Sequence, residues 1–202
     1  MRIAKHFSLW LVVLTVAGSA WAADEYKIDP VHSTVGFAVK HMVVSTVHGR
    51  FTDFSGSIFF DDKDASKSSV DVTIKSTSIN TDNGNRDNDL RSPNFLDAGK
   101  FPEINFKSKS VEKKGDGFVA HGTLTIHGVA KDVDLPFTLT GPLGTPRGKI
   151  LGAEAGLNIN RQDYGVVWSK TLAGGELIVA NDVKIELNVE AHQSQPAAAT
   201  GK

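Results

Sequence analysis

Residues 77–106 read TSINTDNGNRDNDLRSPNFLDAGKFPEINF, and this stretch behaves unlike the rest of the chain. On either side of it apolar and polar residues alternate with a period near two, the pattern of half-buried strands. Inside it the alternation stops and helix-terminus chemistry takes over. Asn85 is placed to cap a short turn through Arg86, Asp87 and Leu90. Ser92 followed by Pro93 reads as a second N-cap with its first helical position, and Gly99 as the exit. A connection this long in a small β domain is functional or disordered. Its apolar residues Leu90, Phe95, Leu96 and Phe101 argue for order. The stretch therefore predicts a short helical insertion, at about residues 82–100, folded as a lid on a β-barrel.

Working outward, Tyr26 to His41 alternates after the poor strand interior Asp29-Pro30, with Val35, Phe37 and Val39 on one face. Val47 to Phe60 is a second strand, with Gly49 and Gly56 marking bends or close approaches. Phe51 and Phe54 compete in it for the inward face, and Ile58 follows Phe54. Val72 and Ile74 share one face of the third. After the lid, Ile104 and Phe106 begin a strand that turns at Lys114-Gly115-Asp116-Gly117. Leu124 and Ile126, then Leu135 and Phe137, line the next two, and Pro136 demands an edge or a bulge. Ile150 to Ile159, the irregular Asn160 to Gly165, and a last strand with Val183, Ile185, Leu187 and Val189 inward complete the domain. About eight alternating strands with no βαβ rhythm predict an all-β fold. Uniformly polar outer faces favour one antiparallel sheet closed on itself, an eight-stranded barrel without spare edges.

The ends read differently. Arg2 and Lys5, the apolar run Leu9 to Val16, and Ala20-Trp21-Ala22 have the form of a Sec signal peptide over 1–22, cleaved after Ala22. The run is too short for a membrane span, so no stable membrane anchor is expected. A barrel domain over 23–190 and a small, polar, disordered tail over 191–202 follow. Without Arg2 and Lys5, 20 basic residues face 23 acidic ones. That mildly acidic balance, with no basic run, excludes nucleic acid as a natural partner. The absence of Cys leaves stability to the core.

The inward set carries no charge and mixes Phe with small residues (Gly56, Ala120, Gly122), which predicts room for an apolar guest. Roughly 0.8 kcal/mol per buried CH₂ gives about 4 kcal/mol for each five-carbon isoprene unit. No nucleophile has an evident base, and no phosphate or dinucleotide fingerprint occurs, so catalysis is not expected. His121 and His127 share a face about 20 Å apart, and His32 and His41 flank one strand, so no metal site is expected. His32 and His127 read instead as hydrogen-bonded rim residues. Arg86-Asp87 and Arg161-x-Asp163 suggest ion pairs tying the lid to the barrel mouth, or cations meeting a head group.

Several motifs taken together carry a resemblance. They are Asp29-Pro-x-His32-Ser33, Gly49-x-Phe51-x-x-Phe54-x-Gly56, Ser78-Ile79-x-Thr81 and Arg86-Asp87-x-x-Leu90-Arg91-Ser92, continuing with Phe101-Pro102-x-Ile104-x-Phe106, Gly122-x-Leu124-Thr125-Ile126-His127-Gly128 and Arg161-x-Asp163-Tyr164-Gly165. In this order the chain resembles the YceI-like family of exported lipid-binding proteins, from Tyr26 to Glu190. The resemblance implies a lipocalin-like barrel holding a polyisoprenoid such as a quinone tail or polyprenyl phosphate. It also implies a periplasmic location, often a homodimer, and no cofactor beyond the bound lipid. Where the family often reads Arg-Asp-x-His-Leu this chain has Asp89, so a head-group contact made by that His in other members would be altered here. The expected lumen is Val35, Phe37, Val39, Phe54, Ile58, Val72, Ile74, Phe106, Leu124, Ile126, Leu135 and Phe137, with His32, His41, Arg86 and Arg161 at the rim. Two rivals remain at this stage: an isoprenoid-modifying enzyme, and a protein-interaction module with a filled core.

Overall fold

The period-two pattern folds into one antiparallel sheet of eleven strands that closes on itself in a computed structural model describing residues 23–194. The strands are β1 (Asp24–Ile28), β2 (Thr34–His41), β3 (Ser45–Phe51), β4 (Phe54–Phe60), β5 (Ser69–Lys75) and β6 (Ile79–Asn80). After helix α1 (Gly84–Arg91) come β7 (Glu103–Lys114), β8 (Gly117–Ile126), β9 (Val129–Thr145), β10 (Gly148–Asn160) and β11 (Val179–Gln193). They fill eight positions around a barrel. β1 and β2 both run along β11, β3 and β4 follow as one kinked strand, and β5 and β6 as another. Closure is through β1 and β11, with Tyr26 opposite Gln193.

Each kink is held by main-chain bonds that bridge it. Asp29 N–H donates to the Glu190 carbonyl at 2.8 Å, and Thr52 N–H to the Ser78 carbonyl at 3.1 Å. The kinks carry β3 and β6 away from β7, so β6 ends the sheet as an edge. The segment joining β6 to β7 packs across that opening, which is why the long connection is ordered.

Within the lid the helix starts earlier than the expected cap. Asn83, not Asn85, is the N-cap, its side chain accepting the Arg86 N–H at 3.1 Å. Ser92 ends this helix instead of starting another, and Pro93 blocks its continuation. Three residues here can cap, and tertiary contact chooses among them. Starting at Asn83 puts Asp87 where it accepts the N–H and hydroxyl of Thr81. Arg86 then donates to the Thr81 hydroxyl and carbonyl at 2.7 and 2.8 Å. Arg91 donates to the Thr77 and Ile79 carbonyls at 2.7 and 2.6 Å. The lid is thus fastened to the β6 region by these bonds, and the expected ion pairs to Arg161 and Asp163 do not form among the described residues.

Two further expectations need correction. The composition puts a tail from Ala191 onward, yet β11 runs to Gln193: Ala191 is fully buried, and His192 pairs with Lys27 and Ile150. A small, polar composition does not prevent a strand when two neighbours offer ladder partners. Residues 1–22, with the signal peptide, and 195–202 lie outside the described residues. The inward glycines, moreover, do not leave room. A Cβ on Gly122 would stand 2.8 Å from the Phe106 ring and 2.6 Å from the Lys107 carbonyl oxygen; at Gly49, expected as a bend or close approach, one would stand only 2.3 Å from the Phe37 ring. Phenylalanine rings lie over these glycines and keep them covered. Gly49→Ala should therefore destabilise the protein by about 1–3 kcal/mol through overpacking, read as a lower midpoint in urea with unchanged m-value.

At the end remote from the lid, Tyr26, Leu151, Ala191 and Ile58 form a tight cluster. The second cluster, around Phe106, Leu124, Ile126 and Tyr164, lies toward the lid. Pro136 sits where pairing of β9 with β10 stops, the last pair being Phe137 with Ala155. Its missing N–H explains the end of the ladder. No helix of the described residues is long and apolar enough to cross a membrane.

Candidate functional site

Between the two clusters lies a cavity of about 250 Å³. Every residue on its wall is apolar except Arg161 and Tyr164. All twelve expected lumen positions stand on this wall. Phe51 stands there with Phe54, because the break at Thr52-Asp53 resets the alternation. Strands β10 and β11 add Ala153, Ala155, Leu157 and Ile159, then Val183, Ile185, Leu187 and Val189. The β11 residues share the inward alternation read from the sequence. The lid contributes Leu90, Phe95 and Leu96, and Phe95 packs on Trp168 with ring centroids 5.2 Å apart.

Of the four rim candidates, only Arg161 reaches the cavity wall. Arg86 is exposed and spent on Thr81. His41 ends β2 opposite Val179 and Ser45. His32 sits outside the barrel at the kink between β1 and β2, 2.8 Å from Asp29. His127, expected as a hydrogen-bonded rim residue, lies against the Phe101 ring, 4.4 Å between centroids. Asp89 also points away from the cavity, accepting the Asn94 side-chain N–H at 2.9 Å.

Arg161 is 6% exposed and belongs to a single 3-10 turn, Arg161–Tyr164, closed by Gly165 in the left-handed region. Its Nε donates to the Ala180 carbonyl at 3.0 Å and Nη1 to that of Val166 at 2.7 Å. Nη2 donates to the Val179 carbonyl at 3.3 Å and to Asn181 Oδ1 at 3.0 Å. No carboxylate pairs with it among the described residues, and burial disfavours its charged form. A guanidinium has five N–H donors, and four are engaged here. The remaining Nη1 donor belongs to a cation on a wall that is apolar but for it and Tyr164. Burial likewise pushes the neighbouring Tyr164 hydroxyl above its ordinary pKa.

An apolar cavity excludes water, and even one of about 150 Å³ stays dry and accepts benzene. At roughly 24 cal/mol per Å³, leaving 250 Å³ empty forfeits about 6 kcal/mol of packing. That is comparable to the whole stability of an ordinary domain. A guest that fills the space recovers it.

Comparisons with known proteins agree with this architecture. The YceI-like domain matches residues 26–191. A UPF0312 protein of Yersinia pestis is 42% identical over 157 residues, covering 76% of this chain and 81% of its own. A UPF0312 protein of Yersinia enterocolitica is 41% identical over 169 residues, covering 79% of this chain and 88% of its own. The YCEI protein of Campylobacter jejuni superposes with a TM-score of 0.67 at 34% identity, over 77% of this chain and 90% of that one. A polyisoprenoid-binding domain from Saccharophagus degradans shares the fold, with a TM-score of 0.64 at 17% identity, over 84% and 98% of the two chains. On the family match and the Yersinia relatives, the chain belongs to the YceI-like family.

Proposed function

We propose that this protein is an exported carrier that holds a polyisoprenoid lipid in its barrel, for transport, storage or sequestration. The observation that carries the reading is the cavity, apolar on every side except at buried Arg161 and its neighbour Tyr164. An isoprenoid tail needs no polar partner and is held by area alone. If about 150 Å³ takes the six carbons of benzene, 250 Å³ takes about ten, or two isoprene units. Ten carbons at roughly 0.8 kcal/mol each yield about 8 kcal/mol before ordering costs. A longer tail would have to displace lid side chains such as Phe95 and Leu96. The free Nη1 donor of Arg161 is suited to an oxygen acceptor on the head group, whether quinone carbonyl or phosphate.

Support comes from the description of the Saccharophagus relative as a polyisoprenoid-binding domain. The cavity wall carries no Ser, Cys, His, Asp, Glu or Lys, and burial favours the protonated form of the Tyr164 hydroxyl, which supports binding without turnover. The leader read over residues 1–22 supports a periplasmic location.

Native mass spectrometry of the purified mature protein, followed by organic extraction, tests this. The expected result is an adduct that extracts as a quinone or polyprenyl species. A clean apo mass, with no uptake of added ubiquinone or polyprenyl phosphate, would overturn the reading.

A further inference from the structure

The kink between β1 and β2 gathers four side chains on the outside of the barrel, remote from the cavity wall. Asp29 and His32 come from the kink itself, while Glu190 and His192 stand two apart on β11, on its outward face. Asp29 Oδ2 lies 2.8 Å from His32 Nδ1 and 3.4 Å from His192 Nε2. Glu190 Oε1 lies 3.9 Å from His32 Nδ1 and 2.9 Å from His192 Nε2. The ligand atoms of Asp29, His32 and Glu190 all lie within 4.8 Å of one another, and His192 Nε2 adjoins both carboxylates from the β11 side. We propose that Asp29, His32 and Glu190, with His192 beside them, form a binding site for a divalent transition cation, zinc foremost.

Two of these separations, 2.8 and 2.9 Å, are hydrogen bonds in the absence of an ion, and a small adjustment brings the same atoms to metal-ligand spacing. A tetrahedral zinc with bonds of about 2.0–2.1 Å places neighbouring donor atoms roughly 3.4 Å apart. The four nitrogen-to-oxygen separations here, from 2.8 to 3.9 Å, bracket that edge. A different surface cluster shows what plain pairing looks like. His121 meets Asp134 through Nδ1 at 2.6 Å and Glu112 through Nε2 at 3.4 Å. Its carboxylates approach opposite edges of one ring and share no common point. At the kink, both carboxylates approach the same nitrogen of each ring.

The donor set of two imidazoles and two carboxylates suits zinc, copper or nickel better than calcium or magnesium. A supporting layer is present as well. The Val31 N–H holds Asp29 Oδ1 at 2.8 Å, which leaves Oδ2 for the site. Ser33 Oγ accepts the Glu190 N–H at 2.9 Å and donates to the Glu190 carbonyl at 3.2 Å, fixing the main chain beneath the Glu190 ligand. Bulged strands commonly re-aim side chains in this way. Bound there, a cation would cross-link the first strand position to the last at the seam where the barrel closes.

The test uses the mature protein, purified without a polyhistidine tag and stripped with chelator, then titrated with Zn²⁺ by calorimetry and with Co²⁺ by visible absorption. One equivalent should bind, with Co²⁺ bands of the intensity a tetrahedral site gives. His32→Ala and His192→Ala should each weaken binding at least tenfold, about the least that losing a metal-site residue costs. His121→Ala should leave it unchanged. Circular dichroism of the variants checks that these exposed substitutions keep the barrel. No one-to-one binding, or equal binding by folded His32→Ala and His192→Ala proteins, would overturn the proposal. Neither outcome touches the lipid reading, which is tested by extraction.

Discussion

Ala155→Trp is expected to abolish uptake of long-chain isoprenoids, weakening binding at least about a hundredfold, while leaving the barrel intact and more resistant to heat. Ala155 lies midway along β10, between Phe137 and Leu187, and all three stand on the cavity wall. An indole there occupies space that a tail would need. Losing room for four of about ten carbons removes roughly 3 kcal/mol of transfer free energy, already more than a hundredfold in affinity. The same substitution fills a void that costs about 6 kcal/mol when empty, so the apo variant should gain stability. Opposite movements of affinity and apo stability distinguish a blocked cavity from a damaged fold. Fluorescence titration with a short-chain quinone and thermal melts of delipidated protein provide the two readouts. Ala155→Phe should show the same signs at smaller size. Unchanged binding in a variant that melts higher would mean that the lipid sits elsewhere. Gly122→Phe is a poorer probe, because a Cβ there already collides with the Lys107 carbonyl oxygen.

The cavity wall was legible because a strand allows only two faces. Once Val35, Phe37 and Val39 are inward, the ladder to β11 and β3 determines the rest. Where the strand breaks, legibility ends. Phe51 and Phe54 are three residues apart and cannot share a face of a regular strand, yet both line the cavity because of the kink at Thr52-Asp53. The lid was legible as an ordered insertion, but its caps were not. Asn83, Asn85 and Ser92 offer the same local chemistry, and only the distant partner Thr81 separates them. Arg161 was visible as a cation in an irregular piece, without any sign that main-chain carbonyls would satisfy it. The outer cluster was hidden for a related reason. His192 belongs to a segment whose composition reads as tail, and Asp29, which it meets across the seam, is more than 150 residues away in sequence. Contacts of that kind follow from barrel closure and leave no local pattern.

Arg161→Leu is expected to cost about 3–5 kcal/mol of stability and to loosen the lid end of the cavity. The side chain donates to three main-chain carbonyls, those of Ala180, Val166 and Val179, and to Asn181 Oδ1. Leucine keeps much of the apolar stem but no donor. Each buried acceptor left without a partner costs roughly 1–3 kcal/mol, less whatever water can repair. Removing the cation's own burial cost offsets part of that loss, which keeps the expected value well below the sum of the four bonds. At about 2–4 °C per kcal/mol for a domain of this size, the melting temperature should fall by roughly 6–20 °C. Arg161→Lys should recover little, since one ammonium cannot reach acceptors spread along the fork of a guanidinium. The two variants also separate scaffold from recognition. If Nη1 meets a lipid oxygen, Arg161→Lys at a temperature where it remains folded should lose affinity for a head-group-bearing isoprenoid, yet bind a bare hydrocarbon chain as the native protein does. Equal loss for both ligands would assign Arg161 to holding the 3-10 turn against β11 alone.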